Sequence, residues 1–228
     1  MQNFNFPVEV VRTNRKKSAT IKLDGSKVRI NVPKSLSDRK VEELIEKRRA
    51  WIETKLQQQA LKPQPQKKQY IDGEDFFYLG KSYQLKILMG KNDQVKISKN
   101  FLAVTLKDQN SQTKIRSILE GWYRERAKEL LTKKTIQLAK VIDVHPRQIS
   151  IKNYRSRWGS CSSTGDLSYN WRIIQAPINI IDYVIVHELC HLIEHNHSYR
   201  YWSHVSKHFP KWKECRDWLK NSNINNEN

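Results

Sequence analysis

The alternation of apolar and polar residues predicts a β-rich beginning to the chain. Residues 8–11 have strand-like composition, and residues 18–24 and 27–33 alternate on either side of Asp24-Gly25. That dipeptide favours a tight hairpin turn. A segment with apolar residues at helical spacing follows and runs to about residue 60. The first part of the chain is therefore predicted to combine a few strands with one helix.

A proline-containing linker is predicted after this helix. Residues 62–69 contain two prolines and almost no apolar side chains, which favours an extended, exposed segment. Short strand-like stretches separated by turn-forming residues come next: Tyr70-Ile71, Phe76–Leu79, Tyr83–Leu88, Val95–Ser98 and Leu102–Leu106. Successive hairpins of this kind predict an antiparallel sheet.

The longest predicted helix covers residues 112–142, with Ser111 as its N-cap and Pro146 preventing its continuation. One stripe is predicted to contain Ile115, Ile118, Leu119, Trp122, Arg126, Leu130, Lys134 and Leu138, and to be widened near its end by Leu131, Val141 and Ile142. A helix of this length is expected to form the backbone of a larger core.

The last third of the chain alternates strands and helices. Strands are predicted at residues 149–154 and 167–174, with the Gly- and Ser-rich loop Arg155–Ser163 between them. Pro177 then begins a helix, with Asn179 or Asp182 as the expected N-cap, and two shorter helices cover about residues 199–208 and 211–220.

These elements predict an α+β fold and a division of the chain into five parts. An active-site helix is expected to pack with the long helix against a sheet that has an antiparallel edge strand, and a β-rich region precedes this core. The expected parts are a hairpin-plus-helix region, a linker, a β-rich hairpin region, a core and a frayed tail, at residues 1–61, 62–69, 70–108, 109–221 and 222–228.

Composition adds a strong positive charge to this picture. The chain has 42 Lys and Arg residues against 23 Asp and Glu residues, a formal charge of +19. A field of that sign attracts polyanions, so DNA, another polyanion or a nucleotide is an expected class of partner. Only 38% of residues are hydrophobic, but 7 Trp, 9 Tyr and 6 Phe supply large apolar areas for a core.

The expected location is the cytoplasm. No apolar run is long enough to span a bilayer, so no membrane partner is expected, and the N-terminus lacks the apolar segment of a secretory signal. The three cysteines, Cys161, Cys190 and Cys215, show no disulfide spacing, which is typical of a reducing compartment. The oligomeric state does not follow from any of these features.

The most informative motif is His187-Glu188-Leu-Cys-His191. On a helix, residues i and i+4 lie on one face, so both imidazoles can bind one Zn²⁺ ion. One ion per chain is therefore predicted, with a water in its open position whose pKa falls to near 7. Glu188 is the expected general base, and the chemistry is hydrolysis at a carbonyl or phosphoryl centre.

Several residues compete as the third ligand, and His197 is the preferred one. It lies six positions after His191, and a chain leaving the helix near His195-Asn196 can fold back to present it, with Asn196 tolerating a left-handed exit. The spacing matches the metzincin motif, but Glu194 replaces its glycine, so the turn must differ. Glu214 from a later helix is the main alternative, followed by Glu194, His195, His204 and His208.

The loop Arg155–Ser163 is the expected wall of the cleft. Arg155, Arg157 and Arg200 can bind an anionic group, and Trp158 can stack on substrate or fill the core. Tyr199 and Tyr201 are weaker candidates for stabilising an oxyanion. Cys161 lacks an identifiable base and Cys190 is expected to serve packing, so neither is a preferred nucleophile.

Taken together, these motifs resemble the YgjP-like metallopeptidases, a zincin-like group related to the SprT-type proteases. The resemblance is dense over about residues 150–220, and weaker upstream at Trp51-Ile52 and Tyr78-Leu79-Gly80. It rests on Ser156-Arg-Trp-Gly-Ser-Cys-Ser162, Asn170-Trp171, Pro177, the segment Asp182–His191, Asn196-His-Ser and Trp202.

The resemblance implies a zinc-dependent peptidase core with His187, His191 and His197 as ligands and Glu188 as the catalytic residue. SprT-type relatives act on proteins bound to DNA, whereas some YgjP-like members are described as nucleoside triphosphate pyrophosphatases acting on UTP. Family membership does not choose between these activities.

Three functions are therefore compatible with these features. The first is a zinc metalloprotease acting on protein or peptide substrates near nucleic acid, the second a metal-dependent UTP pyrophosphatase, and the third a non-catalytic polyanion-binding zinc module. Glu188 argues against the third, since a structural site needs a fourth ligand and no base. The motif lacks a neighbouring carboxylate cluster for Mg²⁺-phosphate chemistry, which favours proteolysis over the second.

Overall fold

The computed structural model describes residues 4–14, 18–24, 27–60, 68–107 and 111–222 of the chain. It shows two compact units, residues 1–64 and 65–228, each with its own buried core. Three sequence-based expectations lie outside the described residues: the turn at Gly25, most of the linker at 62–69, and the tail beyond residue 222.

The first unit is a three-stranded sheet covered by one helix. Its strands are β1 (Val8–Thr13), β2 (Thr20–Asp24) and β3 (Lys27–Pro33), and its helix is α1 (Asp38–Ala60). The central strand β3 pairs parallel with β1 and antiparallel with β2. Alternate residues of β3 and one face of α1 are buried together in the core, namely Val28, Ile30, Val32, Val41, Ile45 and Ile52.

The second unit begins with a four-stranded sheet of strands β4 (Asp75–Tyr78), β5 (Lys81–Met89), β6 (Gln94–Ser98) and β7 (Phe101–Leu106). The order is β4-β5-β7-β6, and β5 pairs parallel with β7. The prediction of a wholly antiparallel sheet is therefore wrong.

The inner position of β7 explains the parallel pair. Leu102, Val104 and Leu106 of β7 are fully buried, so burial favours placing this strand between β5 and β6 instead of at the edge. The predicted strand at Tyr70-Ile71 is also absent, because the Tyr70 N–H donates to the Glu74 carboxylate at 2.6 Å and is not available to a sheet.

The long helix α2 runs from Gln112 to Ile142, as predicted, and Ser111 accepts the Lys114 N–H at 3.1 Å. Its buried stripe consists of Ile115, Leu119, Tyr123, Ala127, Leu131, Thr135, Ala139 and Ile142. Small residues at three of these positions let neighbouring elements lie close, while Trp122 and Leu130 pack at the flank. The two ends of this stripe were predicted, but its middle runs through Tyr123, Ala127 and Thr135 instead of the adjacent row, and Val141 is exposed.

A three-stranded sheet follows α2. Its strands are β8 (Gln148–Lys152), β9 (Gly159–Cys161) and β10 (Asp166–Asn170), in the order β8-β10-β9. The edge strand β9 is antiparallel to β10, which confirms the predicted antiparallel edge. The predicted strand to residue 174 is too long, because the Asn170 side chain accepts the Arg172 N–H and a 3-10 helix, Trp171–Gln175, begins there.

Three helices complete the unit: α3 (Ile178–Cys190), α4 (Tyr199–His208) and α5 (Trp212–Asn221). Helix α3 starts directly after Pro177 without a side-chain cap, so the expected cap at Asn179 or Asp182 is wrong. Asp182 instead pairs with Lys134 of α2, at 2.8 Å. Within the described ranges, no helix has both the length and the apolar character needed to cross a membrane. The predicted α+β class is confirmed.

The turn between β4 and β5 is attached to the start of α3. Leu79 and Gly80 donate their backbone N–H groups to the carbonyls of Ile174 and Gln175, at 2.9 and 3.1 Å. Gly80 has a φ of +80°, and a Cβ there would lie 2.8 Å from the Pro177 Cα. The turn therefore needs glycine both for its backbone conformation and for its close approach to Pro177.

Gly80→Ala is expected to destabilise the protein by more than Gly73→Ala. Both positions have positive φ, but nothing lies within 4 Å of a Cβ at Gly73, so only Gly80→Ala adds a backbone clash to the strain. Each substitution should cost roughly 1 kcal/mol or more from strain alone. Thermal unfolding of the two variants measures the difference, and equal losses would contradict the contact with Pro177.

Candidate metal centre

Helix α3 is buried on most of its surface, and this burial determines where its polar residues can face. Its apolar residues pack against α2 and the sheet, with nine of its positions buried, including Ile181, Ile185 and Leu189. His187 is partly exposed, and Glu188 beside it is 5% exposed. The open side of the helix therefore presents an imidazole next to an almost fully buried carboxyl group.

The chain leaves this helix earlier than the sequence predicted. Helix α3 ends at Cys190, and His191 caps it with right-handed backbone angles and its N–H directed to the Glu188 carbonyl. No residue from 191 to 198 has a positive φ, so the expected left-handed exit at Asn196 is wrong. Because the turn begins at His191 itself, it brings His197 back without the glycine of the metzincin spacing.

The three imidazoles of His187, His191 and His197 meet at one point. One nitrogen from each ring can be chosen so that all three lie within 4.8 Å of one another. The Nε2 atoms of His187 and His197 are 3.3 Å apart. Two nitrogens bound to a tetrahedral zinc ion at the usual bond length are separated by about 3.3 Å, so these residues fit such an ion.

Neighbouring groups hold each ring in place. Nδ1 of His191 lies 3.2 Å from the Glu194 carbonyl, which can only accept, so the proton belongs on Nδ1 and the Nε2 lone pair is free. The buried Tyr201 stacks on His191 at 4.4 Å and donates its hydroxyl to the His187 carbonyl. Tyr201 therefore positions two of the histidines, a role that its place in the sequence did not indicate.

A second aromatic layer supports the exposed ligand. Trp202 stacks on His197 with ring centroids 5.6 Å apart, and it also stacks on Trp212 at 4.2 Å. The Arg216 guanidinium lies 4.9 Å from the centre of the Trp212 ring. This stack ties the loop that carries His197 to α4 and α5.

Burial perturbs the two central titratable groups in opposite directions. It lowers the pKa of His187 to about 3, helped by His191 and His197, so that imidazole is neutral and able to bind a metal. Burial also raises the pKa of the Glu188 carboxyl to about 8, while Arg157 acts in the other direction. A cation held by the histidines would favour the ionised form of Glu188.

Gly159 on β9 provides the space that Glu188 occupies. A Cβ at this position would lie 2.5 Å from Oε1 of Glu188, closer than side chains approach. The φ of Gly159 lies outside the left-handed region, so the backbone itself would accept alanine. The sequence showed Gly159 only as part of a flexible-looking loop, and nothing in its spacing linked it to Glu188.

Asn170 holds the strand that carries Gly159. Its side-chain amide donates to the carbonyls of Tyr154 and Arg157, and its backbone N–H donates to the Trp158 carbonyl at 2.8 Å. Asn170 is fully buried. The loop Arg155–Ser163 therefore forms a wall beside Glu188, and the hydrogen bonds of Asn170 fix its position.

The remaining candidates are distributed around this wall and α4. Arg155, Arg157 and Arg200 are exposed, Tyr199 is 90% exposed, and Trp158 is partly buried against the core. Arg157 lies over the Tyr154 ring at 5.4 Å. Glu214 is exposed in the first turn of α5 and is not part of the histidine group.

The two cysteines of this region are poor nucleophiles. Burial, assisted by Glu188, raises the pKa of Cys161 to about 11, and Cys190 is fully buried in the core. A thiol that stays protonated at neutral pH does not attack a carbonyl efficiently. This agrees with the packing role that the sequence indicated for Cys190.

Among the comparisons with known proteins, the match to a family model identifies the family of this chain. Among solved structures, the metallopeptidase zymogen of Pyrococcus abyssi abylysin is 20% identical, with a TM-score of 0.37 over 39% of this chain and 90% of abylysin. The curated protein sequences contain no significant match to the chain. The family model of the YgjP-like metallopeptidase domain matches residues 17–222, which is nearly the whole chain. The chain therefore belongs to the YgjP-like metallopeptidase family, as its motifs had suggested.

Proposed function

We propose that this protein is a zinc-dependent peptidase in which His187, His191 and His197 hold one metal ion and Glu188 moves the proton. Membership in a metallopeptidase family implies a metal, typically zinc, and a protein or peptide substrate. The observation that carries the residue assignment is the convergence of three imidazole nitrogens beside a buried carboxyl group.

Two of the three proposed ligands present a free lone pair before an ion binds. The low pKa of His187 keeps its ring unprotonated, and the Glu194 carbonyl holds the proton of His191 on the nitrogen that faces away. A zinc ion bound here supplies Lewis acidity, which polarises a carbonyl oxygen and acidifies a water. Three neutral ligands leave the full charge of the ion available for that purpose.

Glu188 is proposed to act as the general base and then as the general acid. Its carboxylate accepts the proton of the attacking water and returns it to the nitrogen of the leaving amine, so it ends the reaction as it began. The space left by Gly159 and the packing of α3 place this side chain against β9. A carboxylate that is already in place loses little entropy when the reaction occurs.

The edge strand β9 is the proposed support for the substrate backbone. It lies at the edge of its sheet, and Gly159 within it touches Glu188. An extended peptide can add to such an edge by main-chain hydrogen bonds. Arg155, Arg157, Trp158, Tyr199 and Arg200 stay candidates for contacts to its side chains.

Peptide hydrolysis is favoured over nucleotide hydrolysis by the ligand types. In the described part of the chain, the side chains that converge closely enough to hold an ion are those of the three histidines. This group contains no carboxylate. Triphosphate chemistry usually relies on Mg²⁺, which prefers oxygen ligands. A DNA partner and a cytoplasmic location stay predictions from charge and composition.

Replacing Glu188 by Gln should leave zinc bound and lower kcat by about 10² to 10⁴-fold, because the amide cannot accept the proton. Metal content and turnover of both proteins should be measured on an unfolded protein, with and without DNA, and on nucleoside triphosphates. Glu188-dependent cleavage of triphosphates alone would replace the peptidase proposal, and undiminished proteolysis by the variant would remove Glu188 from its role.

Replacing His197 by Ala should weaken zinc affinity by more than about a hundredfold, since a ligand contributes more than the groups that orient it. Glu214→Ala is the matched control, because Glu214 was the main alternative and lies outside the histidine group. A competition titration with a zinc chelator measures both. Loss of affinity in the Glu214 variant and not in the His197 variant would reverse the assignment.

Gly159→Ala should lower kcat on the order of a hundredfold while zinc stays bound, because the new methyl group displaces the Glu188 carboxylate by about 1 Å. The same change should cost much less in a Glu188→Asp background, where the shorter side chain leaves room. Gly121→Ala is the control, since a Cβ there meets nothing within 4 Å. Additive effects in the double variant would show that Gly159 acts elsewhere.

A further inference from the structure

The four-stranded sheet has one face that its own unit does not use for packing. The inner face buries Leu85, Leu102, Val104 and Leu106 in the same core as α2. The opposite side, called here the open sheet face, is formed by the alternate residues of each strand, among them Asp75, Gln84, Lys86, Lys96, Ser98 and Phe101.

The strand register places these residues in ordered rows. Phe101 on the inner strand β7 lies opposite Gln84 on β5 and Ser98 on β6. Two residues further along β7, Ala103 lies between Lys86 and Lys96. At the end of β6 and β7 nearest their turn, the face therefore presents an aromatic ring flanked by an amide and a hydroxyl, next to a small residue flanked by two lysines.

The apolar side chains on this face are unusually exposed for a sheet. Phe101 is 38% exposed, Leu88 is 40% and Phe77 is 43%, and these three residues share the same face. Exposed aromatic rings on a basic surface are the groups on which bases stack in proteins that bind single strands. The Lys86 ammonium group lies 5.4 Å from the centre of the Phe101 ring, so charge and ring are already adjacent.

The charges of this region favour an anionic partner. Residues 68–107 contain seven lysines and four acidic residues. The carboxylates of Asp72, Glu74 and Asp93 accept backbone N–H groups and are engaged within the fold. Asp75 is the carboxylate that shares the side of the open face, and it lies on β4, two strands away from Phe101.

We infer that the open sheet face binds single-stranded nucleic acid. An unpaired base stacks on Phe101, the side chains of Gln84 and Ser98 bond to its edge, and Lys86 and Lys96 contact the neighbouring phosphates. A base in a duplex has no free face to offer the ring, so single strands are preferred. This surface is separate from the histidine group and does not depend on the proposed peptidase activity.

The stacking is tested with the full-length protein and fluorescently labelled oligonucleotides of about twelve nucleotides, one of thymidine and one of uridine. Fluorescence anisotropy should show binding that Phe101→Ala weakens by at least about fivefold. The control is Ile136→Ala, which removes an apolar side chain of similar exposure (48%) from α2. Stronger binding of the uridine strand would identify RNA as the source of the ligand, and stronger binding of the thymidine strand DNA.

The charge contribution is tested by salt dependence. Removing Lys86 and Lys96 together should reduce the slope of log affinity against log salt by about 1.4, since each phosphate contact on a single strand contributes about 0.7. The control pair, Lys128→Ala with Lys133→Ala, removes two exposed lysines from α2 and should leave the slope unchanged.

Three outcomes would overturn the inference. Equal effects of the two lysine pairs would show general attraction to a basic protein, and equal binding of duplex and single strand would exclude stacking. Displacement by polyglutamate with the same dependence on Phe101 would assign the face to an acidic polypeptide instead. Melting temperatures close to that of the wild type would confirm that the variants, all changed at exposed positions, remain folded.

Discussion

Three imidazoles have to meet at one point, and two of them come from a single buried helix. Helix α3 and its C-cap can present His187 and His191 because the other faces of the helix are packed. The helix must also end close to His191, so that the chain can turn and place His197 beside the other two rings. Termination at Cys190 meets this requirement with ordinary backbone angles. The contacts of Tyr201 and Trp202 then hold the returning loop, so α4 belongs to the site as much as α3 does.

The same burial that orders the histidines also controls Glu188. Glu188 is 5% exposed, and its carboxyl group occupies the space where a Cβ at position 159 would lie, so only glycine fits there without a shift. Since β9 is an edge strand and Asn170 attaches the preceding loop, the position of Glu188 depends on the sheet that precedes α3 in the chain. The position of the proposed general base is therefore determined together with the packing of this sheet.

The basic residues of the protein have different neighbours on its helices and on the open sheet face. Many of its ion pairs lie along the helices, as between Arg39 and Glu43 or Arg116 and Glu120, and such exposed pairs contribute little to stability. On the open sheet face the lysines flank an aromatic ring instead. A formal charge of +19 accounts for a general attraction of polyanions, whereas the proposed stacking on Phe101 would favour single-stranded nucleic acid among them.

Much of this protein could be predicted from local sequence. The His187-Glu188-x-x-His191 spacing, the bounds of α2 and the strands with clear alternation depend on helical and strand periodicity, which neighbouring residues determine. Tertiary structure decided the rest, because it depends on competition for burial between distant segments. That competition placed β7 inside its sheet, selected the Ala127 and Ala139 row of α2, and brought Gly159 against Glu188.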